Sequence, residues 1–424
     1  MIFRNDSKAA LARFLAVLAG SLALVGCGSS STPTPTPTPV ANTATVEVNA
    51  GPANNATNFL FVTVTVCMPG STTNCQSIDN VQVDTGSEGL RVLSSALGNL
   101  APTSGSGLPT LQDSSSNVLQ ECIQFADTSY LWGPVATADV KMAGETASSV
   151  PIQVVSSTPA FDVPSSCLSL GNGPTLNTVT ALGANGIIGL GNFAQDCGGA
   201  CTSASSSLPP MYYVCPSNVC TIPAVGLNNQ LANPVALFAA DNNGLLITMP
   251  AVPAAGQATA SGSMIFGVGT QTDNALGSAT IYATDAYGDI QTTYQGVAYS
   301  NAFFDTGSTG IYFLDFATLG IPDCTNYPGF YCPASPVTYT VTNQGTNSTT
   351  GQQVQFTFAN ADTLFTANPT FAAFSELGGD SGSGPSSDFI DFGMPFFYGR
   401  TVFVGIEGAT VPGNISAPNG YYAY

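Results

Sequence analysis

The sequence predicts a mainly β protein whose body divides into two lobes. Short runs rich in Val, Ile, Thr, Phe and Tyr alternate with clusters of turn-forming residues, and the chain contains 45 Gly and 29 Pro. No long amphipathic helical pattern separates these runs. The body that begins near Thr43 is larger than a single hydrophobic core usually becomes, and one tetrapeptide occurs in it twice. We therefore expect an N-terminal lobe, 43–281, and a C-terminal lobe, 282–424, each carrying one copy.

The first residues predict an export signal, not a folded element. Three basic residues lie within 1–13, and the apolar stretch that follows, 14–25, is too short to span a bilayer. Leu-Val-Gly stands immediately before Cys27, which resembles a bacterial lipobox. We therefore expect a lipoprotein signal peptide over 1–26 and a lipid on Cys27, with a plain secretory signal as the alternative.

Residues 27–42 predict a tether between that lipid and the folded body. Thr and Pro alternate from Thr32 to Pro39, a composition typical of extended polyproline II. Gly28, which follows the cysteine where an Asp would favour retention, indicates sorting to an outer membrane. The chain is thus expected to be an exported, lipid-anchored protein of the cell envelope, periplasmic or surface-exposed, that contacts the membrane through Cys27.

Composition excludes several classes of function. The formal net charge of −19, from 25 acidic and 6 basic residues, argues against a nucleic-acid partner. The chain has no histidine, so Ser/His/Asp and Cys/His catalysis and the usual zinc enzymes are excluded. Carboxylate chemistry without a metal or cofactor remains. We expect a monomer.

The cysteines indicate disulfides in an oxidising compartment. The chain has 11, and an even number remains once Cys27 is set aside. A four-thiolate metal site made of Cys197, Cys201, Cys215 and Cys220 is the alternative, which the compartment disfavours. Spacing suggests five pairs without fixing the connectivity: Cys67 with Cys75, Cys122 with Cys167, Cys197 with Cys201, Cys215 with Cys220, and Cys324 with Cys332.

Alternating residues predict individual strands along the body. In 58–67, Phe and Thr alternate with Leu and Val, and in 353–358 Val and Phe alternate with polar residues. Between 120 and 142 the chain has the pattern of a strand, a turn and a second strand, which predicts a hairpin.

The repeated tetrapeptide is Asp-Thr-Gly-Ser, at 84–87 and 305–308, each time after an apolar run. Two like carboxylates held about 3 Å apart cannot both ionise, so they share a proton and can act as base and acid together. The Gly permits a tight turn that directs backbone N–H groups at the carboxylate. Asp84 and Asp305 are therefore the candidate catalytic pair, with two unrelated Asx turns as the alternative.

These tetrapeptides resemble those of pepsin-like aspartic peptidases, which carry one in each lobe. The resemblance implies a bilobal fold of two pseudo-symmetric, six-stranded β lobes around a cleft, a peptide or protein substrate, and Asp84 and Asp305 as the catalytic dyad. It also implies that the threonines cross-link the two catalytic loops and that the serines hydrogen-bond the outer carboxylate oxygens. The supporting residues are Thr85, Gly86, Ser87, Thr306, Gly307 and Ser308.

Apolar segments that contain glycine extend the resemblance. Residues 185–191 and 389–397 resemble the segments that thread behind the catalytic loop of each lobe, and 263–267 resembles the strand after the interlobe connection. Segments 132–135 and 393–400 also resemble a group of uncharacterised bacterial lipoproteins, which have no established activity to carry over.

The hairpin expected over 120–142 lies where pepsin-like enzymes carry a flap that covers the substrate. Phe125, Tyr130 and Trp132 are its aromatic candidates, and Trp132 could instead anchor the hairpin in the core. Glu88 replaces the small polar residue usual in that family. If it faces the dyad it raises the pKa of the shared proton, and otherwise we expect it to be solvated or paired with Arg91.

The leading hypothesis is a membrane-anchored, acid-active aspartic endopeptidase, in which a water activated between Asp84 and Asp305 attacks the peptide bond. The second is a non-catalytic surface lipoprotein of the same fold that binds peptides or another ligand. Two intact tetrapeptides favour the enzyme, and the unassigned flap tyrosine favours the binding protein. A glycoside hydrolase ranks third, because carboxyl groups about 5 to 10 Å apart do not explain identical Thr and Gly flanks.

Overall fold

Strands make up most of the regular structure in the computed structural model, which describes residues 41–102, 106–204, 210–382 and 389–424. The predicted signal peptide, Cys27 and the tether as far as residue 40 lie outside the described residues. In chain order the strands are β1 (Thr43–Val48), β2 (Leu60–Cys67), β3 (Cys75–Asp84), β4 (Glu88–Leu93), β5 (Leu119–Gln124), β6 (Tyr130–Met142), β7 (Glu145–Val155), β8 (Gly186–Leu190), β9 (Tyr212–Val214), β10 (Gly244–Thr248), β11 (Ala260–Phe266), β12 (Ile281–Ala283), β13 (Ile290–Tyr294), β14 (Val297–Asp305), β15 (Ile311–Tyr312), β16 (Val337–Gln344), β17 (Gln352–Phe358), β18 (Gly378–Gly379), β19 (Ile390–Gly393), β20 (Thr401–Gly405) and β21 (Tyr421–Ala423).

The helices are short. The α-helices are α1 (Ser94–Leu97), α2 (Val179–Leu182), α3 (Phe316–Leu319), α4 (Ala361–Ala367) and α5 (Met394–Phe397). Single 3-10 turns span Gly98–Leu100, Gly198–Thr202, Leu227–Asn229, Pro234–Leu237 and Pro412–Asn414. Within the described ranges, no helix has the length and apolar character needed to cross a membrane.

The described strands form two sheets. The larger has the order β12-β21-β20-β10-β11-β1-β2-β3-β8-β4-β7-β6-β5-β9, and the smaller has the order β17-β16-β13-β14-β19-β15-β18. The predicted mainly β, two-lobed fold class is therefore confirmed. Where six strands per lobe were expected, the sheets have 14 and 7 strands among the described residues. They differ in size because strands from both ends of the chain join the larger sheet.

The last strands of the chain connect the two halves of the molecule. β20 pairs antiparallel with β10, and β21 pairs with both β20 and β12. These three pairings place the C-terminal strands in the larger sheet, although β13 to β19 form the smaller one. The predicted boundary between residues 281 and 282 falls inside β12 and remains a prediction.

The chain around the two tetrapeptides has the same strand arrangement twice. In the first repeat, β3 ends at Asp84 and runs parallel to β8, and Asp84 lies opposite Gly189. In the second, β14 ends at Asp305 and runs parallel to β19, and Asp305 lies opposite Gly393. A Cβ on Gly189 would lie 2.5 Å from backbone of the segment after the first tetrapeptide, and one on Gly393 would lie 2.1 Å from the corresponding backbone in the second. Only glycine fits at such close approaches.

Both tetrapeptides emerge from the hydrophobic core. Buried aliphatic and aromatic side chains form one large cluster drawn from both sheets, in which Val83 and Phe304 immediately precede the two aspartates. The last four residues of β3 and of β14 are buried, and apart from Gln82 those before each aspartate are apolar. Each strand therefore ends with one buried carboxyl at the junction between the sheets.

Disulfides join all five predicted cysteine pairs. Cys122–Cys167 is the long-range link, and it ties β5 to the segment that follows β7. The alternative of a four-thiolate metal site is wrong, because Cys197 pairs with Cys201 and Cys215 pairs with Cys220. Disulfides persist in oxidising compartments, so they indicate an exported protein.

Candidate active site

The two tetrapeptides form facing turns that bring Asp84 and Asp305 together. Both side chains are buried. The Gly86 N–H donates to Asp84 Oδ1 at 2.8 Å, and the Gly307 N–H donates to Asp305 Oδ1 at 2.6 Å. A Cβ on Gly307 would lie 2.6 Å from Asp84 Oδ1 and 2.9 Å from Asp305 Oδ1. The two Oδ1 atoms, called the inner oxygens from here on, therefore converge at Gly307, where a side chain would keep them apart.

The Oδ2 atoms, called the outer oxygens, accept hydrogen bonds from the serines. Ser87 Oγ lies 2.7 Å from Asp84 Oδ2, and Ser308 Oγ lies 3.1 Å from Asp305 Oδ2. Each carboxyl thus has a backbone donor on its inner oxygen and a hydroxyl on its outer oxygen. Such fixed donors hold a carboxylate in one orientation before any substrate arrives.

Thr85 and Thr306 link the two turns by reciprocal hydrogen bonds. Thr85 Oγ1 donates to the Phe304 carbonyl at 2.9 Å and accepts from the Thr306 N–H at 3.0 Å. Thr306 Oγ1 donates to the Val83 carbonyl at 2.7 Å and accepts from the Thr85 N–H at 3.3 Å. Both side chains are buried. The four bonds fix the distance between the aspartate-bearing strands.

Replacing either threonine by valine is expected to lower the free energy of unfolding by about 2–4 kcal/mol, because each change leaves one buried N–H and one buried carbonyl without this partner. Urea denaturation of Thr85→Val and Thr306→Val measures the loss. The double variant should lose less than the sum of the two, since both changes break one network.

The matched controls are Thr85→Ser and Thr306→Ser, which keep the hydroxyl group and remove only a methyl group. We expect the serine variants to stay closer to the wild type than the valine variants. Equal losses for serine and valine would assign the effect to packing and would contradict the role of the hydrogen bonds.

The two aspartates have unequal proton affinities. The pKa of Asp84 lies below its ordinary value: burial acts to raise it, and hydrogen bonds from the Asp305 carboxyl, Ser87 and the Gly86 N–H are among the interactions that lower it. Burial raises the pKa of Asp305 to about 6, and the neighbouring Asp84 charge adds to the rise. One shared proton therefore resides mainly on Asp305, and the two groups titrate as a pair.

Glu88 lies directly beyond the first tetrapeptide, with its carboxyl turned inward. Its Oε1 accepts from the Phe193 N–H at 3.2 Å. Burial raises the pKa of Glu88 to about 8, and the Asp84 charge also contributes to the rise. A neutral Glu88 at neutral pH avoids placing another negative charge beside the dyad.

Arg91 does not take Glu88 as its ionic partner. Its Nη2 lies 2.6 Å from Glu121 and 3.4 Å from Asp196, and all three side chains are buried. Toward Glu88 it donates only to the backbone carbonyl, at 2.8 Å. Pairing with Arg91, one of the alternatives left open for Glu88, is therefore wrong, because Glu121 reaches the guanidinium from strand β5, which is distant in sequence.

β5 and β6 form the hairpin predicted over 120–142, and its aromatic side chains pack into two apolar clusters. Trp132 is buried, donates to the Phe161 carbonyl at 3.0 Å, and meets the Tyr213 ring edge-on. Tyr130, two residues earlier and so on the same strand face, packs against this cluster. Phe125 lies in the other cluster, which includes core residues of the first tetrapeptide's lobe. The anchoring role that the sequence offered for Trp132 matches these contacts.

Sequence reasoning missed two polar groups of the site, Asp391 and Tyr312. Asp391 is buried and contacts the Ser308 hydroxyl. The Tyr312 hydroxyl lies 3.2 Å from Thr309 Oγ1; its burial raises its pKa to about 12, and the charges of Asp391 and Asp305 add to the rise. Comparison of the two repeats would have found both, because each stands where the first repeat has a residue of different chemistry.

A cavity of about 500 Å³ opens beside the first tetrapeptide. Gly86 and Ser87 form one side of it, and Tyr287, from the loop between β12 and β13, contributes to another. Its acidic lining consists of Glu88, Asp196 and Glu407. The volume suits one or two amino-acid side chains next to the dyad.

Comparisons with known proteins give a family without an assigned activity. Residues 38–424 match a family model described as protein of unknown function (DUF3443). No curated protein matches the chain. Among solved structures, the chain is similar to the aspartic proteinase from Irpex lacteus, with a TM-score of 0.45 and 15% identity over 90% of this chain and 96% of that chain.

Proposed function

Because the chain belongs to the DUF3443 family of proteins of unknown function, its activity must be inferred from its own site, and we propose that it is an aspartic endopeptidase. In this proposal the protein hydrolyses peptide bonds with a water activated between Asp84 and Asp305. It acts outside the cytoplasm, anchored through a lipid on Cys27 in the outer membrane. Neither a metal nor a cofactor takes part.

The observation that carries the proposal is the convergence of two buried carboxyls on one glycine. Asp84 and Asp305 come from duplicated elements, and their inner oxygens meet at Gly307. Unrelated Asx turns would not be cross-linked through Thr85 and Thr306. A pair of carboxyls whose proton affinities differ is the arrangement that general acid–base catalysis requires.

The pKa difference assigns the two roles. Asp84, with the lower pKa, takes a proton from the water as the water attacks the carbonyl carbon of the peptide bond. Asp305 gives its proton to the carbonyl oxygen as negative charge develops there. The product of this step is a neutral tetrahedral intermediate. Asp84 then returns its proton to the amide nitrogen while Asp305 takes a proton from a hydroxyl of the intermediate, so the C–N bond breaks, the amine and the carboxylic acid leave, and the shared proton is back on Asp305.

Substrate would lie along the junction between the sheets. The cavity beside Ser87 offers room for a side chain of the peptide, with Tyr287 at one side. The β5–β6 hairpin is held by Trp132 and by the Cys122–Cys167 disulfide, at a pair of facing residues near its turn, which limits how far the hairpin can move.

The alternative function is a non-catalytic surface lipoprotein that binds peptides. Tyr130 favours it, because this tyrosine packs with Trp132 in an apolar cluster, and a flap tyrosine would close over substrate. The binding protein would use the same junction and cavity without turnover.

Cleavage of an unfolded protein by the purified chain, from pH 2 to 8, separates the two functions. We expect activity at acid pH that falls as the pH rises through about 6, because Asp305 then loses the proton that it must donate. A statine-containing peptide, which mimics the tetrahedral intermediate, should block it. Statine-peptide binding without cleavage would support the binding protein, and absence of both in a folded sample would contradict the proposed site.

A further inference from the structure

Asp391 lies behind the second tetrapeptide, on the buried strand β19. Its side chain is 3% exposed, and its Oδ2 contacts the Ser308 hydroxyl, which also lies 3.1 Å from the outer oxygen of Asp305. Its Oδ1 is buried and has no hydrogen-bond partner in the part of the chain that the structure describes. Ser308 therefore connects Asp391 to one member of the dyad.

The first repeat shows that the strand itself does not require an acid here. Gly393 lies opposite Asp305, and Gly189 lies opposite Asp84. Asp391 lies two residues before Gly393 in β19. The matching residue in β8, two before Gly189, is Ile187, which is also buried. Burying a carboxyl group is unfavourable unless its hydrogen bonds are replaced. An acid at this position in only the second repeat thus indicates a task at Asp305.

Counting hydrogens determines which carboxyl holds a proton. The Ser308 hydroxyl has one hydrogen, yet it lies within hydrogen-bond distance of oxygens from both Asp391 and Asp305. The second hydrogen must come from one of these carboxyls. An ionised Asp391 would leave Oδ1 buried, charged and without a partner, so the neutral form is favoured at Asp391.

Electrostatics acts in the same direction. Burial, and then the charge of Asp305, raises the pKa of Asp391 well above its ordinary range. Asp84 adds to this rise, and the Tyr312 hydroxyl also lies within electrostatic reach of Asp391.

We propose that Asp391 is a positioning residue, which as a neutral carboxylic acid donates to Ser308 and directs the Ser308 hydroxyl onto the outer oxygen of Asp305. Its catalytic consequence rests on the proposed peptidase function. With the outer oxygen held, Asp305 is left to exchange the shared proton through its inner oxygen. If Asp391 were ionised, the Ser308 hydroxyl would donate to Asp391 instead, and the outer oxygen of Asp305 would lose this hydrogen bond.

Infrared difference spectra test the protonation state without requiring activity. Subtracting the spectrum of Asp391→Asn from that of the wild-type exported protein at pH 7 should leave one C=O stretch of a protonated carboxyl. In Ser308→Ala that band should shift, because the Asp391 hydroxyl has lost its acceptor; this variant also serves if Asp391→Asn does not fold. A spectrum in which no protonated-carboxyl band depends on Asp391 or on Ser308 overturns the proposal, even if the protein cleaves no peptide.

Kinetics test the consequence at Asp305 in an active protein. Asp391→Asn keeps a donor toward Ser308, so its kcat/KM should stay within about threefold of the wild-type value. Asp391→Ile, which places the residue of the first repeat at this position, should lower kcat/KM about tenfold and shift the alkaline limb of the pH profile. In a Ser308→Ala background the two variants should have the same profile. If Asp391→Asn loses as much as Asp391→Ile, the charged form is needed and the proposal is wrong.

Discussion

Replacing Asp84 by Asn, or Asp305 by Asn, is expected to lower kcat for peptide cleavage by at least about three orders of magnitude. The amide of Asn has nearly the shape of the carboxyl, so the hydrogen bonds from Gly86 and Gly307 can persist and the protein should fold. At position 84 the change removes the base, and at position 305 it removes the acid. Either change also removes the proton that the pair shares.

The double variant should be little slower than either single variant. The two aspartates act as one unit, and losses at groups that act as a unit are far from additive. Steady-state cleavage of one peptide at pH 4 and pH 6 measures this. Asp162→Asn is the matched control, because Asp162 is an exposed aspartate outside the site, and it should leave kcat unchanged. Undiminished cleavage by both site variants would show that another group carries the reaction.

Local patterns in the sequence predicted that Asp84 and Asp305 would meet, and they suggested the five cysteine pairs without fixing the connectivity. Asp84 and Asp305 each lie in a tetrapeptide whose turn, donors and preceding strand are set by residues that are close in sequence. The cysteine pairs were accessible for a similar reason, since most join residues within one loop.

Contacts between strands that are distant in sequence could not be predicted from local patterns. Asp391 reaches Ser308 only because β19 runs parallel to β14 in a particular register, and a shift of one residue would turn the carboxyl to the other face of the sheet. The roles of the hairpin's aromatic residues depend likewise on which face of the strand packs against which apolar cluster. The sequence offered Trp132 both as a flap residue and as an anchor, and only its contact with Tyr213 distinguishes them.

The same limit explains why Arg91 was given the wrong partner, and its replacement is expected to have the largest effect on stability. Arg91→Met should lower the free energy of unfolding by about 3–5 kcal/mol at pH 7, because it leaves a buried carboxylate without its counter-charge. Glu121 accepts from Arg91 Nε at 3.2 Å and from Nη2 at 2.6 Å, and it has no exposed surface. Burial, and the charge of Glu121, raise the pKa of Asp196. Arg91 is therefore the cation that this buried acidic cluster contacts.

A double variant separates the buried charge from packing as the cause of the loss. Arg91→Met with Glu121→Gln removes both charges while keeping the size of the side chain, and should recover most of the deficit at pH 7. Urea denaturation of Arg91→Met and of the double variant at pH 7 measures this recovery. A deficit that persists in the double variant would mean that the lost packing of the Arg91 side chain, not the buried charge, destabilises the fold.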